Sequence, residues 1–348
     1  MSSARAWGSS PGAVWRHSCA SATARAGRTR CSFPLVAANL GTACAEFAGV
    51  AAALGLAGVP AAVSVPVAAA AVTILVLGSS FHRVEHVLLV LSAAFVAYVV
   101  AGVLAQPDWG AAARGLVVPS VPGDRAGLLA IVAVIGTTLA PWGIAFIGSY
   151  AADKRVSEDE LRYERVDVLV GAVLTGVIGV FIVVACAATL HAEGRTVEDA
   201  ADAAAALEPL AGHLASALFA TGLLGASLLA ASVVPLSTAY SVSEAVGHEG
   251  RLDDHWRDAR VFYGTYIAVI TVAAALVLIP GAPLMRILYL SQALNAVLLL
   301  PVLWVMRRIA ADRTLMGAHA LSAGGRAVTG AVLVTLAVCI GALAWLSF

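Results

Sequence analysis

Gly136-Thr137-Thr138-Leu139-Ala140-Pro141-Trp142-Gly143 sits in the middle of an uncharged run from Ala126 to Ala152. A helix of about 20 apolar residues crosses a bilayer, and this run is long enough. A proline inside such a helix removes one main-chain hydrogen bond and clashes with the turn before it. Gly136 and Gly143 flank it and loosen the same turn, while Thr137 and Thr138 place hydroxyls beside the freed carbonyls. In lipid, broken main chain persists only where protein or a water-filled cavity satisfies it. Discontinuous helices that present carbonyls near the midplane are how many secondary transporters hold cations. The stretch therefore reads either as such a break or as a simple proline kink, which membrane helices also use.

Outward from this stretch, the whole chain has the composition of a membrane protein. Of its 348 residues, 60% are hydrophobic and only 12% charged, with a mean hydropathy of +0.90. Soluble domains carry roughly twice that charged share. The fold class is all-α and polytopic. Apolar segments are expected at Pro34–Ala57, from Pro60 to Gly78, Val87–Ala105, Ala126–Ala152, Val168–Leu190, Leu214–Ala245, Val261–Ile279, Leu284–Met306 and Ala327–Phe348. Each is near or above the length needed to span, which gives about nine transmembrane helices. Residues 1–33 differ: they carry Arg5, Arg16, Arg25, Arg28 and Arg30 and no acidic residue. They lack the apolar core of a secretory signal and read as a basic, disordered amino-terminal arm. Residues 34–348 form the transmembrane domain.

The basic residues set the expected orientation. With the arm inside, all but four (Arg114, Arg125, Arg195, Arg286) of the 21 lysines and arginines fall on the inner side. The positive-inside rule thus places the amino terminus inside and the carboxyl terminus outside, in the cytoplasmic membrane. The acidic loop His191–Gly212 suits the outer face, and Asp153–Asp167 reads as an inner amphipathic connector. Cys19, Cys31, Cys44, Cys186 and Cys339 show no C-x-x-C spacing, so neither a disulfide framework nor a zinc site is indicated.

Polar groups inside the spans are costly in lipid and point to function or to inter-helix contacts. Glu46 is an ionisable group in an otherwise apolar helix, read as part of a proton or cation route. The alternative is a neutral carboxyl held by a neighbouring helix. Gln292 and Asn295 lie three apart and share a helix face; their amide oxygens suit either a cation or an inter-helix hydrogen bond, and so does Asn39. Small residues from Gly222 to Ala239 suggest close helix packing. His213 and Glu244 read as interfacial, and His82, Glu85 and His86 as a solvated loop end rather than a metal site. No nucleotide-binding glycine loop, nucleophile motif or nucleic-acid-binding patch is present. The chain is expected to be neither an enzyme nor a nucleic-acid binder, with no bound cofactor and the lipid bilayer as its main partner.

Several of these segments resemble one family. Thr137-Thr138-Leu139-Ala140-Pro141-Trp142, followed by Ser149-Tyr150-Ala151-Ala152-Asp153-Lys154, is similar to the sixth helix of the natural resistance-associated macrophage protein (NRAMP) family. Ala45-Glu46-Phe47 is similar to its third helix. Gly225-Ala226-Ser227 through Pro235-Leu236-Ser237-Thr238-Ala239-Tyr240 resembles its eighth, and Ser291-Gln292 its tenth. The family comprises divalent-metal transporters with a LeuT-like inverted-repeat fold.

The resemblance implies a secondary transporter of divalent cations working by alternating access. Thr137 and Ala140 would offer main-chain carbonyls to the metal, and Gln292 a side-chain oxygen. Glu46, Trp142 and Asn295 would line the proton or ion path. Ala140-Pro141-Trp142 stands where the family has Met-Pro-His, which resembles its magnesium-transporting branch. Without a thioether an oxygen-only site favours Mg²⁺ or Mn²⁺. Ala43 stands where the family has an acidic residue, so protons remain an open partner. The family's Asp-Pro-Gly-Asn helix is not found, and the nine segments match its third to eleventh helices. The amino-terminal arm stands in the place of the first two, and a chain without them is expected to hold only part of the site. A same-fold amino-acid/cation symporter and a non-transporting membrane protein stay open as alternatives.

Overall fold

The structure is a computed structural model. It describes residues 25–78, 81–118, 125–138, 140–153, 161–188, 200–247, 254, 256–317 and 320–345. Every regular element among them is helical. In chain order these are α1 (Arg25–Leu56), α2 (Ala61–Gly78), α3 (Phe81–Ala93), α4 (Val96–Leu104), α5 (Trp109–Val117), α6 (Arg125–Thr138) and α7 (Pro141–Asp153). There follow α8 (Leu161–Cys186), α9 (Ala200–Val246), α10 (Arg260–Val277), α11 (Leu284–Ala311), α12 (Arg313–Met316) and α13 (Ala323–Trp345).

Among the described residues, 9 stretches are long and apolar enough to cross a membrane: Pro34–Leu56, Ala61–Gly78, His86–Leu104, Arg125–Ile147, Val166–Cys186, Ser216–Val246, Arg260–Val277, Arg286–Ala311 and Ala323–Ala342. They follow the expected segments closely, because length and hydropathy alone define them. The turns between them are also where the sequence puts them. Gly58 and Gly281 take φ of +81° and +75° in the Gly58-Val59-Pro60 and Pro280-Gly281-Ala282-Pro283 turns, a region that only glycine enters freely.

Four features depart from the sequence reading. The third span is two helices: Ala94 N–H donates to Leu91 O and Phe95 N–H to Ser92 O, both at 3.1 Å, as a tight i→i+3 turn. The turn sits in a tight tertiary contact. A Cβ on Gly225 of α9 would overlap the Ala94 side chain and lie 3.2 Å from Leu91 O, so α9 presses on this turn. Next, helix α9 begins at Ala200, inside the expected acidic loop, because Ala200-Ala201-Asp202-Ala203-Ala204-Ala205-Ala206 is rich in the best helix former. Helix α5 was not expected either; Asp108 caps it by accepting from Gly110 N–H (2.9 Å) and Ala111 N–H (3.0 Å). Last, α1 runs back to Arg25, ahead of Pro34. Residues 1–24 and residues 154–160 of the Asp153–Asp167 connector lie outside the described residues.

Three apolar cores hold the bundle. The largest lies between α1, α2, α9 and α10, where Phe47, Val65, Leu236, Phe262 and Tyr266 are fully buried. There the Tyr240 and Phe262 rings meet edge-on at 4.8 Å, and the Tyr266 hydroxyl donates to Val72 O at 3.2 Å. A second core joins α4, α8 and α9 around Tyr98, Ala185 and Phe219. A third joins α6, α11 and α13 around Val132, Ala296, Leu299 and Leu336. The small residues of α9 admit close neighbours, as the sequence suggested. Gly222 sits under the Tyr98 ring and Ser227 against Gly49 of α1.

The exterior carries Val67, Ile74, Val90, Leu169, Val328 and Val338, all more than half exposed. Apolar surface costs roughly 25 cal/mol per Å² in water and nothing comparable against lipid tails. That pattern fits a bundle whose outer face meets acyl chains. Cys44, Cys186 and Cys339 form no disulfide.

Candidate functional site

The decisive stretch is a true interruption. α6 ends at Thr138 and α7 begins at Pro141. Of the two readings the sequence left open, a break and a simple proline kink, the structure has the break, with the proline at the first position of the second helix. There its missing N–H would have lacked a partner anyway and its fixed φ suits a helical start. Ala140 acts as the cap: its carbonyl accepts from Gly143 N–H at 3.0 Å and Ile144 N–H at 3.4 Å. Thr137 lies in the last turn of α6, where carbonyls have no partner within the helix. Its side chain is exposed, whereas the Thr138 hydroxyl turns back to Val134 O at 2.7 Å.

The two halves pack on different partners. α6 lies against α11 and α13, α7 chiefly against α9. Gly136 makes the first of these contacts possible, since a Cβ there would overlap the main-chain oxygen of Gln292. On the other side of the break, the Ser237 hydroxyl of α9 donates to Trp142 O at 2.7 Å. So α6 ends against Gln292, and α7 starts against Ser237.

Beside the break lies a buried polar cluster on three helices. Asn39 and Thr42 come from α1, Ser237 and Thr238 from α9, Gln292 and Asn295 from α11. Asn295 Nδ2 donates to Gln292 Oε1 at 3.1 Å and, more weakly, to Thr42 Oγ1 at 3.5 Å. Gln292 Nε2 also donates to Thr42 Oγ1, at 3.4 Å. Thr42 in turn donates to Ala38 O at 3.0 Å. Asn39 Nδ2 donates to Thr238 Oγ1 at 2.8 Å, and Thr238 donates to Val234 O at 2.9 Å. Two acceptors are left over: Asn39 Oδ1 and Asn295 Oδ1 are buried with no hydrogen-bond partner. A buried carbonyl without a donor is costly, and a cation or a water would relieve it.

Glu46 lies one turn beyond Thr42, so Asn39, Thr42 and Glu46 form a single polar stripe on α1. Its carboxyl is within electrostatic reach of the buried Tyr98 phenol. Thus Gln292 and Asn295 are joined directly, and Gln292 touches the break through Gly136. Ala140 is buried, its carbonyl already holding the first turn of α7, and Trp142 is partly buried with its carbonyl held by Ser237.

Thr42, Ser237 and Thr238 were not read as site residues from the sequence. The signal for Thr42 was its spacing, three after Asn39 and four before Glu46. His86 and His213 are exposed, Glu244 is partly buried, and the side chains of His82 and Glu85 lie outside the described residues. Among the described residues, no three His, Cys, Asp or Glu side chains gather as they would around a resident metal.

A family model described as natural resistance-associated macrophage protein-like matches residues 17–346. The chain belongs to this family. Among its Nramp relatives, the divalent metal cation transporter MntH of Burkholderia ambifaria is 29% identical over 252 residues, 70% of this chain and 54% of that protein. MntH of Deinococcus radiodurans is 36% identical over 148 residues, 40% of this chain and 33% of its own. MntH 1 of Pseudomonas aeruginosa is 31% identical over 255 residues, 69% and 56% of the two chains. The chain therefore spans about half the length of the curated relatives it matches. The crystal structure of a manganese transporter from Eremococcus coleocola superposes with a TM-score of 0.67 at 19% identity, covering 91% of this chain and 71% of that one. This Nramp chain thus has the LeuT-like helical fold that the resemblance implied.

Proposed function

We propose that this chain forms the cation-handling core of a divalent-metal transporter, with Mn²⁺ or Mg²⁺ as substrate and alternating access as its mechanism. One observation carries the reading: the interrupted helix abuts a buried cluster that holds two amide oxygens without donors. The ion enters on the α6 side of the break. Unpartnered carbonyls at a helix carboxyl end carry partial negative charge, whereas the amino end of α7 repels a cation. The Thr137 carbonyl is then its first main-chain ligand, and the Ala140 carbonyl contributes only its second lone pair. Gln292 Oε1 completes the set by exchanging its bond from Asn295 for the metal, and Asn39 and Asn295 lie along the path.

All of these donors are oxygens, which suits hard ions. Mn²⁺ is also favoured because the structural relative is a manganese transporter, and Mg²⁺ by alanine at position 140. Glu46, one turn from Thr42, would carry protons along α1. The excess of basic residues orients the amino terminus to the cytoplasm.

Binding tests this independently of turnover. Purified chain titrated with Mn²⁺ quenches the electron paramagnetic resonance signal of the free ion if the site exists. Gln292→Ala weakens that quenching. Undiminished binding by a Pro141→Ala, Gln292→Ala double variant removes the break from the site. Binding of an amino acid with no response to metal favours a same-fold organic-solute carrier instead.

A further inference from the structure

The far end of α11 carries a second feature, which the transport reading does not use. The Arg286–Ala311 span is 26 residues long, about 39 Å at 1.5 Å per residue. That exceeds the hydrocarbon core of roughly 30 Å, so its last turns reach the headgroup layer. Alternation of the spans places those turns at the same end of the bundle as Arg83, Arg257 and Arg260. A cavity of ≈ 330 Å³ opens there, lined by Trp304, Arg307, Arg308 and Ala311 of α11 and Arg326 of α13.

Among the described residues, no carboxylate lines this cavity. The nearest in sequence, Asp312, is engaged in capping α12, accepting from Thr314 N–H at 2.8 Å and from the Thr314 hydroxyl at 2.6 Å. Arg307 Nε is buried with no hydrogen-bond partner. The guanidinium lies across Gly330, where a Cβ would come within 3.5 Å of its Nη2, so the glycine leaves room for the group. Arg326 uses Nη1 on Leu321 O at 3.1 Å, which ties it to the start of α13 and leaves the rest of its fork unclaimed. Arg308 stacks on the half-exposed Trp304 ring, 4.2 Å from its centroid.

Three guanidinium groups around one cavity repel each other unless an anion joins them. Their planar forks match phosphate oxygens in pairs. An amphipathic tryptophan at the rim is characteristic of the lipid–water boundary. Basic pockets between membrane helices on the cytoplasmic side commonly take lipid phosphates.

We propose that this cavity binds the phosphate group of an anionic phospholipid from the adjoining leaflet. Arg307 and Arg326 chelate the phosphate, Arg308 attracts it at the mouth, and Trp304 packs along the glycerol end. Acyl chains then lie on the apolar faces of α11 and α13. The site pins α13 to α11, whose opposite end carries Gln292. It stands whether or not the chain moves metal.

The experiment uses full chain in nanodiscs of phosphatidylcholine with or without phosphatidylglycerol, with co-purifying lipid identified by native mass spectrometry. Wild type should retain phosphatidylglycerol over phosphatidylcholine. An Arg307→Gln, Arg326→Gln double variant should retain on the order of tenfold less, the effect of losing one or two charge-assisted contacts. Arg308→Gln alone alters an exposed side chain, and a several-fold loss is expected even if the double variant does not fold. Arg286→Gln, at the opposite end of α11, should change nothing. A second arm adds inorganic phosphate to phosphatidylcholine discs. Thermal protection by phosphate without selective lipid retention overturns the lipid as the source. Equal phosphatidylglycerol retention by wild type and the arginine variants overturns the site.

Discussion

Gly136 rests directly on the main chain of Gln292: a Cβ there would overlap the Gln292 carbonyl oxygen and lie 2.9 Å from the Ala296 nitrogen. The contact brings the end of α6 to the one turn of α11 that carries an amide able to meet an ion. Gly136→Ala must force the two helices apart, and overpacking of this kind costs about 1–3 kcal/mol. Gly143, just past the break, has no atom within 4 Å of its would-be Cβ. Gly143→Ala should therefore be neutral or stabilise by about 0.4–1 kcal/mol. Thermal unfolding of the two variants in detergent separates them. Equal melting temperatures would show that α6 and α11 do not meet this closely.

Ser237 and Thr238 join the second half-helix and α1 to the same turn of α9. Thr238→Val leaves the buried Asn39 amide without its acceptor, a loss of about 1–3 kcal/mol. Ser237→Ala removes one hydrogen bond to Trp142 O, worth about 0.5–1.5 kcal/mol. Because that bond holds the start of α7, Mn²⁺ uptake into vesicles should fall further for Ser237→Ala than its modest loss of thermal stability suggests.

Asn39 carries one bonded and one orphaned group. Thr238 Oγ1 has its own acceptor in Val234 O, so loss of the Asn39 amide leaves no donor stranded. Asn39→Leu should then leave the unfolding midpoint within about 1 kcal/mol of wild type. Mn²⁺ affinity should drop several-fold in the same preparation. Unchanged affinity would remove Asn39 from the ion path.

What the sequence showed and what it concealed divide along a physical line. The spans were visible because hydropathy and length are local properties, and the break because Pro141 with flanking glycines weakens helix wherever it occurs. Gln292 and Asn295 were visible as polar residues on one face. Thr42, Ser237 and Thr238 were not, because a hydroxyl in a membrane helix normally bonds to its own preceding turn, as Thr138 does here. Their roles depend on partners 95 to 253 positions away in the chain. The split at Ala94–Phe95 was hidden for the same reason. Nothing in Ala-Phe itself marks a turn; the turn lies against Gly225 on a distant helix.

Position 140 tests the choice of ion. Ala140→Met adds a soft thioether beside an otherwise all-oxygen set, and soft ligands favour softer ions. Competition by Cd²⁺ against Mn²⁺ uptake should strengthen on the order of tenfold, while competition by Mg²⁺ weakens. Identical competition profiles would place the ion away from residue 140.

Glu46 is the ionisable group of the α1 stripe. Glu46→Gln keeps its size and removes its capacity to release a proton. If the stripe conducts protons, Mn²⁺-dependent acidification inside vesicles should vanish in this variant while Mn²⁺ binding persists. Retained acidification would separate Glu46 from coupling.

In the proposed mechanism the gap between Thr138 and Pro141 offers oxygen to a dication. Anomalous scattering from crystals of the chain soaked in Mn²⁺ tests it most directly. A manganese peak is expected in direct coordination to the Thr137 carbonyl and Gln292 Oε1. A peak elsewhere, with both of these oxygens unliganded, would contradict it.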